Sequence, residues 1–243
     1  RGEDHMTNSA AQIQLFEALG SSPPRLGHLS LLTDISGEGL SKRLGSLSLK
    51  DLRQEGFQPM AISSLLSKVG TSDAIDIFKN INQIIDDFDI NKFGKSKPKF
   101  DKVELLNLNS KYFQLTNFDD ISNQLNTLDF EITTEFWNLI KGNINTFNDI
   151  KFWWNIVYGK IKTINDDHEF THLALKTLPN DSFDKNTWST WTSLLMKESG
   201  RKGKDLFKPL RLCLTGQNNG PEMANLVLTM GRQKIVERLN NKN

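Results

Sequence analysis

From Pro59 to the end of the chain the apolar residues recur at helical spacing, and no stretch alternates Val, Ile and Thr in the two-residue period of a half-buried strand. That pattern speaks against a β-barrel in the second half and predicts a succession of helices. Pro59 opens one that runs to Lys68, since a proline at the first helical position lacks only an N–H that would have no intrahelical partner. Thr71 or Ser72 is expected to cap the next, with Ile75, Phe78, Ile81, Ile84, Ile85 and Phe88 as its apolar stripe. A basic linker over 92–99, interrupted by Gly94 and Pro98, leads to a helix that starts at Asp101 and carries Val103, Leu105, Leu106 and Leu108. Further helices are expected over 118–128, 131–142, 146–158, 166–177, 184–199, 205–214, 221–230 and 231–240. Upstream, residues 7–19 read as a helix capped by Thr7 or Asn8, with Ile13, Phe16 and Leu19 on one face, and Gly20 and Pro23-Pro24 end it. His28 to Leu32 reads as a short strand, and 46–55 as a helix.

The remaining bulk properties narrow the class. A chain of 243 residues with 37% hydrophobic residues can bury a core, and no apolar run is long enough to span a bilayer. No secretory h-region follows the start. The chain does not begin with methionine, and its first five residues already look like part of an active site, so a fragment of a longer protein is expected. The single cysteine, Cys213, has no internal disulfide partner and is expected as buried filler, which is compatible with a reducing cytoplasm. Net charge is +1, but the cations are clustered. Lys92, Lys95, Lys97, Lys99 and Lys102 form one patch, and Arg201, Lys202, Lys204, Lys208 and Arg211 another, so either can grip phosphates locally. Aromatic residues gather between Phe130 and Trp191, among them Trp137, Trp153, Trp154, Trp188 and Trp191, and at helical spacing they are expected as core packing rather than base-stacking platforms.

One loop carries chemistry. Gly37-Glu38-Gly39-Leu40-Ser41-Lys42-Arg43 combines two glycines that permit close backbone approach with a mobile lysine and a fixed arginine fork. Such a loop can meet charge that builds on the β- and γ-phosphates when a carboxylate attacks the α-phosphorus of ATP and pyrophosphate leaves. No phosphate loop of the G-x-x-x-x-G-K-[ST] kind is present, no C-x-x-C pair occurs, and no metal site is expected.

The loop lies behind Arg1-Gly2-Glu3-Asp4-His5 and Pro24-Arg25-Leu26-Gly27-His28-Leu29-Ser30-Leu31-Leu32. In this order the three pieces resemble the end of the nucleotide-binding domain of class I aminoacyl-tRNA synthetases, most closely the bacterial-type glutamyl-tRNA synthetases (glutamate–tRNA ligases). The likeness continues through Ser46-Leu47-Ser48-Leu49, Phe100-Asp101, Pro209-Leu210-Arg211, Gly220-Pro221-Glu222-Met223 and Glu237-Arg238-Leu239. In that family the signature string is Lys-Met-Ser-Lys-Ser; here Gly39-Leu40-Ser41-Lys42-Arg43 stands in its place, so one lysine is replaced and Lys42 is the residue expected to act in catalysis. The resemblance implies that Arg1 recognises the substrate carboxylate and that Asp4, Leu32, Gly39, Leu40, Ser41, Lys42 and Arg43 contact ATP with its Mg²⁺. His5 and His28 are candidates for the site wall.

The fold implied is mainly α. Residues 1–35 would be the tail of a Rossmann-like α/β nucleotide-binding domain, 36–115 a helical stem-contact domain headed by the signature loop, and 116–243 an all-helical anticodon-binding bundle, with a subdivision near 175. The function implied is that of the C-terminal part of a cytoplasmic glutamate–tRNA ligase, monomeric, with no membrane partner. It would act on L-glutamate and tRNA(Glu), with tRNA(Gln) as a second tRNA that the resemblance leaves open. The fragment alone is expected to be inactive. The alternative is a helical tRNA-binding module with no chemistry of its own.

Overall fold

The protein is described by a computed structural model that defines residues 1–40, 48–163 and 167–240. It divides into two compact units, Arg1–Tyr112 and Phe113–Asn243. Both are built of helices, as the spacing predicts.

The first unit opens with a single 3-10 turn, Glu3–His5, that runs into α1 (Met6–Ala18). The helix therefore starts ahead of Thr7 and Asn8, and neither caps it; His5 stands at the cap position and makes no side-chain cap bond. The run His28 to Leu32 does not form a strand. It contributes an isolated parallel bridge, Gly2 to Leu29, and Thr33 just beyond it bridges Gly39 and Lys99.

Helix α2 (Leu49–Gln54) is held by a reciprocal capping box in which Ser48 Oγ accepts from Asp51 N and the Asp51 carboxylate accepts from Ser48 N. Helix α3 (Pro59–Lys68) starts and stops where its proline and sequence predict. The next stretch departs from expectation. No helix begins at Thr71 or Ser72; α4 is confined to Ile81–Asp87 and is capped by Asn80. Residues 74–78 form no helix: Ile75 and Ile77 pack on the core, while Phe78 N donates to Ser64 Oγ and Asp76 pairs with Lys111.

Helix α5 (Lys102–Leu115) supplies Leu105 and Leu108 to a core with Leu52, Phe57, Ala61, Leu65 and Phe100. A polar tie crosses this core: Gln58 N donates to Asn109 Oδ1 at 2.7 Å, both residues being buried.

A second tie is ionic. Lys68, buried at 7% exposure, pairs with Asp87 and with Asp73 Oδ2 at 2.9 Å, and Lys92 reaches the same Asp73 oxygen at 2.9 Å. The carboxylate of Asp73 is held below the ordinary range, first by Lys92 and then by Lys68, and the ammonium of Lys68 is raised, first by Asp87 and then by Asp73. The signs give opposite pH windows. The stabilisation from Asp73 is complete above its unfolded value, about pH 4, and is lost as pH falls through the folded value; that from Lys68 is lost only on the alkaline side, above about pH 10. The urea midpoint of the first unit should therefore fall on acidification below about pH 4. Asp73→Asn should lower the neutral-pH midpoint and flatten that acid limb, as read by circular dichroism. An unchanged acid limb in the variant would assign the acid sensitivity elsewhere.

The second unit comprises α6 (Phe118–Leu125), α7 (Thr134–Ile140), α8 (Asp149–Val157), α9 (His168–Lys176), α10 (Thr187–Ser199), α11 (Lys204–Thr215) and α12 (Met223–Asn240). The two helices expected over 221–240 are both present within α12, separated at Gly231, whose φ of 71° and ψ of 165° are open to glycine alone. Gly216, at φ 67°, stops α11.

Helix α12 packs against α7, α8, α9, α10 and α11, so the core gathers around it: Trp137, Trp191, Leu195, Leu206, Leu210, Leu226, Val227 and Ile235 are fully buried, and Cys213 lies among them at 3% exposure. The buried indoles keep their N–H groups satisfied, Trp137 by Thr116 O, Trp191 by Ala174 O and Trp153 by Asn143 O. Among the described residues no helix is long and apolar enough to cross a membrane.

Candidate functional site

The three sequence motifs fall in the first unit, and the structure brings two of them into contact. Glu3 N donates to Leu29 O and Leu29 N to Arg1 O, each at 2.9 Å, so the opening motif runs beside the His28–Leu32 segment. Gly2 permits this approach: a Cβ there would lie 2.4 Å from Asp4 Oδ1 and 2.7 Å from Leu31 Cδ2. The Arg1 guanidinium donates to Gln12 Oε1 and, at 3.5 Å, to Ser9 Oγ. Ser9 Oγ in turn lies 3.0 Å from His28 Nε2.

A cavity of about 770 Å³ opens beside these groups, lined by Arg1, Glu3, His28, Ser30, Phe93 and Lys95 among others. Arg1 and Lys95 make its charge suited to anionic groups. Asp4 is exposed next to His5, their closest side-chain atoms 3.8 Å apart. Leu32 is half-buried and lines a smaller cavity of about 170 Å³ with Leu66, Val69 and Pro98.

The base of the signature loop is anchored twice. Thr33 N donates to Pro98 O and Phe100 N to Thr33 O, which fixes the segment to the core that holds Phe100. Asp34 then closes the turn: its Oδ1 accepts from Ser36 N, Ser36 Oγ and Glu38 N at 2.9, 2.6 and 2.9 Å. These bonds, led by that of the Ser36 hydroxyl, hold the Asp34 carboxyl below its ordinary range. Gly37 turns the chain at φ 91°, and Gly39 pairs back onto Thr33. Gly39 and Leu40 are thereby exposed on a fixed stem. Ser41, Lys42 and Arg43 lie outside the described residues.

Two features go beyond what the sequence motifs suggest. The string His168-Glu169-Phe170-Thr171-His172 has the H-E-x-x-H spacing, and it does lie on a helix, with both histidines exposed one turn apart on α9. A zinc site needs at least a third protein ligand, and the described residues offer no group of three histidine, cysteine or carboxylate ligands. The spacing alone would have shown the pair. The second feature is Arg211, whose Nη2 donates to Pro221 O at 2.9 Å while its buried Nη1 has no partner among the described residues. Burial holds this guanidinium below its ordinary pKa, and it remains a cation at neutral pH.

Comparison with known proteins agrees with the division seen in the structure. Residues 1–107 match the family described as tRNA synthetases class I (E and Q), catalytic domain, and residues 104–242 match the anticodon binding domain family. The chain belongs to the glutamyl-type class I tRNA synthetases. Among its curated relatives, glutamate–tRNA ligase 1 of Maricaulis maris is 42% identical over 98% of this chain and 54% of its own length. The glutamate–tRNA ligase of Azospirillum brasilense shows the same identity over the same shares. This synthetase chain thus spans about half the length of the curated relatives it matches. A crystal structure of a glutamate tRNA ligase from Elizabethkingia meningosepticum in complex with its amino acid shares the fold, with a TM-score of 0.77 at 22% identity, covering 99% of this chain and 55% of that one. Within the synthetase family the first unit carries the catalytic-domain match, and the second lies within the anticodon-binding match.

Proposed function

We propose that this chain works in the attachment of L-glutamate to tRNA, as the part of a cytoplasmic glutamate–tRNA ligase that bears the phosphate loop and recognises tRNA. The observation that carries the reading is the presence, in one chain, of a catalytic-domain match directly followed by an anticodon-binding match, with glutamate–tRNA ligases as relatives along 98% of the chain. A helical module that only binds tRNA would have no need of the first match. The division at 35 and the one near 175 belong to the same proposal.

In this reading Arg1 holds the carboxylate of glutamate through its guanidinium fork. Asp4, Leu32, Gly39, Leu40, Ser41, Lys42 and Arg43 take ATP, and the exposed carboxylate of Asp4 suits the Mg²⁺ that ATP carries. When the glutamate carboxylate attacks the α-phosphorus, the P–O bond to pyrophosphate breaks and charge grows on the leaving group. In this reading Lys42 is the cation that meets it. The turn closed by Asp34 supports this, since it fixes where the loop leaves the body of the unit. The helical second unit reads the anticodon of tRNA(Glu), with tRNA(Gln) as the competing tRNA, and the enzyme is a monomer.

The test is filter retention of tRNA(Glu), tRNA(Gln) and an unrelated tRNA by the isolated chain at two salt concentrations, beside an aminoacylation assay. Salt-sensitive retention that favours tRNA(Glu) or tRNA(Gln), with no glutamyl-tRNA formed by the chain alone, is expected. In an enzyme completed with the rest of the catalytic domain, Lys42→Ala should leave tRNA retention unchanged and abolish adenylate formation. A Lys42→Ala enzyme of undiminished rate would remove the lysine from the mechanism.

A further inference from the structure

Beyond the aromatic cluster expected as core, α11 carries a partly exposed ring, Phe207. Helix α11 buries Leu206, Leu210, Cys213 and Leu214 on one side. Lys204, Phe207, Lys208 and Arg211 follow each other at positions i, i+3, i+4 and i+7, so they share the other side. Phe207 is 38% exposed, and its ring lies 6.0 Å from that of Trp188 at a tilt of 34°. Trp188 is itself half-buried and stands edge-on to Trp191 at 6.0 Å, and Trp191 is fully buried with its N–H bonded to Ala174 O. Each ring thus fixes the next, from the core outward to Phe207.

The cations around this ring are exposed. Lys204 and Lys208 form no ion pair with any described residue, in contrast to Lys68, Lys92, Lys111 and Arg201, which do. The acid of this turn, Asp205, falls about 100° round the helix from Lys204 and stands three residues before Lys208, with no ion pair to either among the described residues. The buried Nη1 of Arg211, one turn further on the same side, is a donor without a described acceptor.

We infer that this face of α10 and α11 is a stacking platform for an unpaired nucleotide of the bound RNA, Phe207 taking the base against its exposed face and Lys204 and Lys208 the flanking phosphates. Three observations point there. A partly exposed aromatic ring backed by rigid rings meets a base without ordering cost. Cations with no ion-pair partner on either side of it complement a phosphodiester chain. A fully paired duplex offers no free base face, so the occupant is single-stranded. The inference rests on the proposal that the second unit binds tRNA, and it names the surface.

The probe is a hairpin RNA that carries the anticodon loop of a glutamate tRNA, with a fully paired duplex of the same composition as control. Binding to the whole chain is followed by tryptophan emission, which Trp188 should report as a quench, and by filter retention across a salt series. Phe207→Leu keeps the apolar volume and removes the π face; it should weaken hairpin binding roughly tenfold, and Phe207→Tyr should restore it. Lys204→Gln with Lys208→Gln should lower the slope of log affinity against log salt by about 1.4, at about 0.7 for each single-strand phosphate that is no longer neutralised. Circular dichroism checks that each variant is folded, and the lysine pair, being exposed, keeps the test alive if Phe207→Leu is not.

Wild-type chain that binds the hairpin while both variants bind it equally well overturns this platform and leaves the wider proposal standing. Wild-type chain that binds no RNA overturns both and turns attention to a protein partner for the same face. Equal binding of hairpin and duplex would mean phosphate recognition without stacking, and would also overturn the inference.

Discussion

Arg238→Met should destabilise the second unit by about 3–4 kcal/mol, one of the two largest effects expected of any single substitution here. Arg238 is fully buried near the end of α12, and among the described residues no carboxylate forms a salt bridge with it; the neighbouring Glu237 pairs with Lys234 and acts on it only through space. Its guanidinium donates to three backbone carbonyls, Ile156 O at 3.1 Å, Gly159 O at 2.9 Å and Ile161 O at 3.3 Å, and Lys234 Nζ reaches Gly159 O at 3.2 Å. These acceptors lie at and just beyond the C-terminal end of α8, where carbonyls lack intrahelical partners and the helix dipole is negative.

Desolvation lowers the arginine's pKa, and the charge is kept. Replacing a buried ion with a methionine of similar reach would often be harmless, because the desolvation penalty vanishes with the charge. Here the acceptors are main-chain oxygens and stay behind. Ile156 O and Ile161 O are left bare at about 1–3 kcal/mol each, while Gly159 O keeps Lys234 Nζ, and that sum outweighs the recovered penalty. Thermal and urea unfolding of the variant measures it. Arg238→Lys should recover a part, since one ammonium cannot span all three oxygens. A loss below about 1 kcal/mol for Arg238→Met would show that the end of α8 finds other donors.

The second large effect is expected at Gly220. Its φ of 145° suits glycine, and a Cβ there would meet Trp153 Cη2 at 2.1 Å. Trp153 has nowhere to retreat: it is 5% exposed and its N–H is held by Asn143 O at 3.2 Å. Overpacking and backbone strain add, so Gly220→Ala should lose about 3–5 kcal/mol. Gly231→Ala separates the two causes. It has a positive φ of 71° but open space within 4 Å of the added carbon, so it should cost only the strain, about 1–3 kcal/mol. If the two alanine variants unfold at the same urea concentration, the indole yields and the steric argument is wrong.

Neither position could be singled out from the sequence, although the helices around them could. The helices of the second unit are legible because each buries an apolar stripe at a regular spacing, and α10 and α11 end at glycines whose positive φ confirms the stop. The segment 71–80 misleads because Ile75, Ile77, Phe78 and Ile81 satisfy both a helical and an extended spacing; only the partners Ser64 and Lys111 decide between them. The run from His28 to Leu32 looks like a strand by composition, but a strand needs a ladder, and among the described residues it meets only isolated bridges.

At the candidate site, the resemblance assigns the Arg1 motif and the His28–Leu32 segment to one domain end, and the structure joins them through Leu29. The Asp34 turn has no such signal, since an aspartate two and four residues ahead of its donors looks like any polar loop. Nor does anything in the sequence separate Trp188 and Phe207 from the buried aromatics, because exposure is settled by which face of α11 turns to the core.

The sole cysteine gives the molecule a chemical clock. Cys213 sits at 3% exposure inside the second unit, and the first unit has no thiol at all. An alkylating reagent can reach that sulfur only when the helices around α12 part, so the labelling rate in the native protein measures how often one unit opens, without interference from the other. RNA that binds the closed form, as proposed for the second unit, should slow this clock in proportion to its occupancy, so a single mass-shifted peak would report both local opening and ligation.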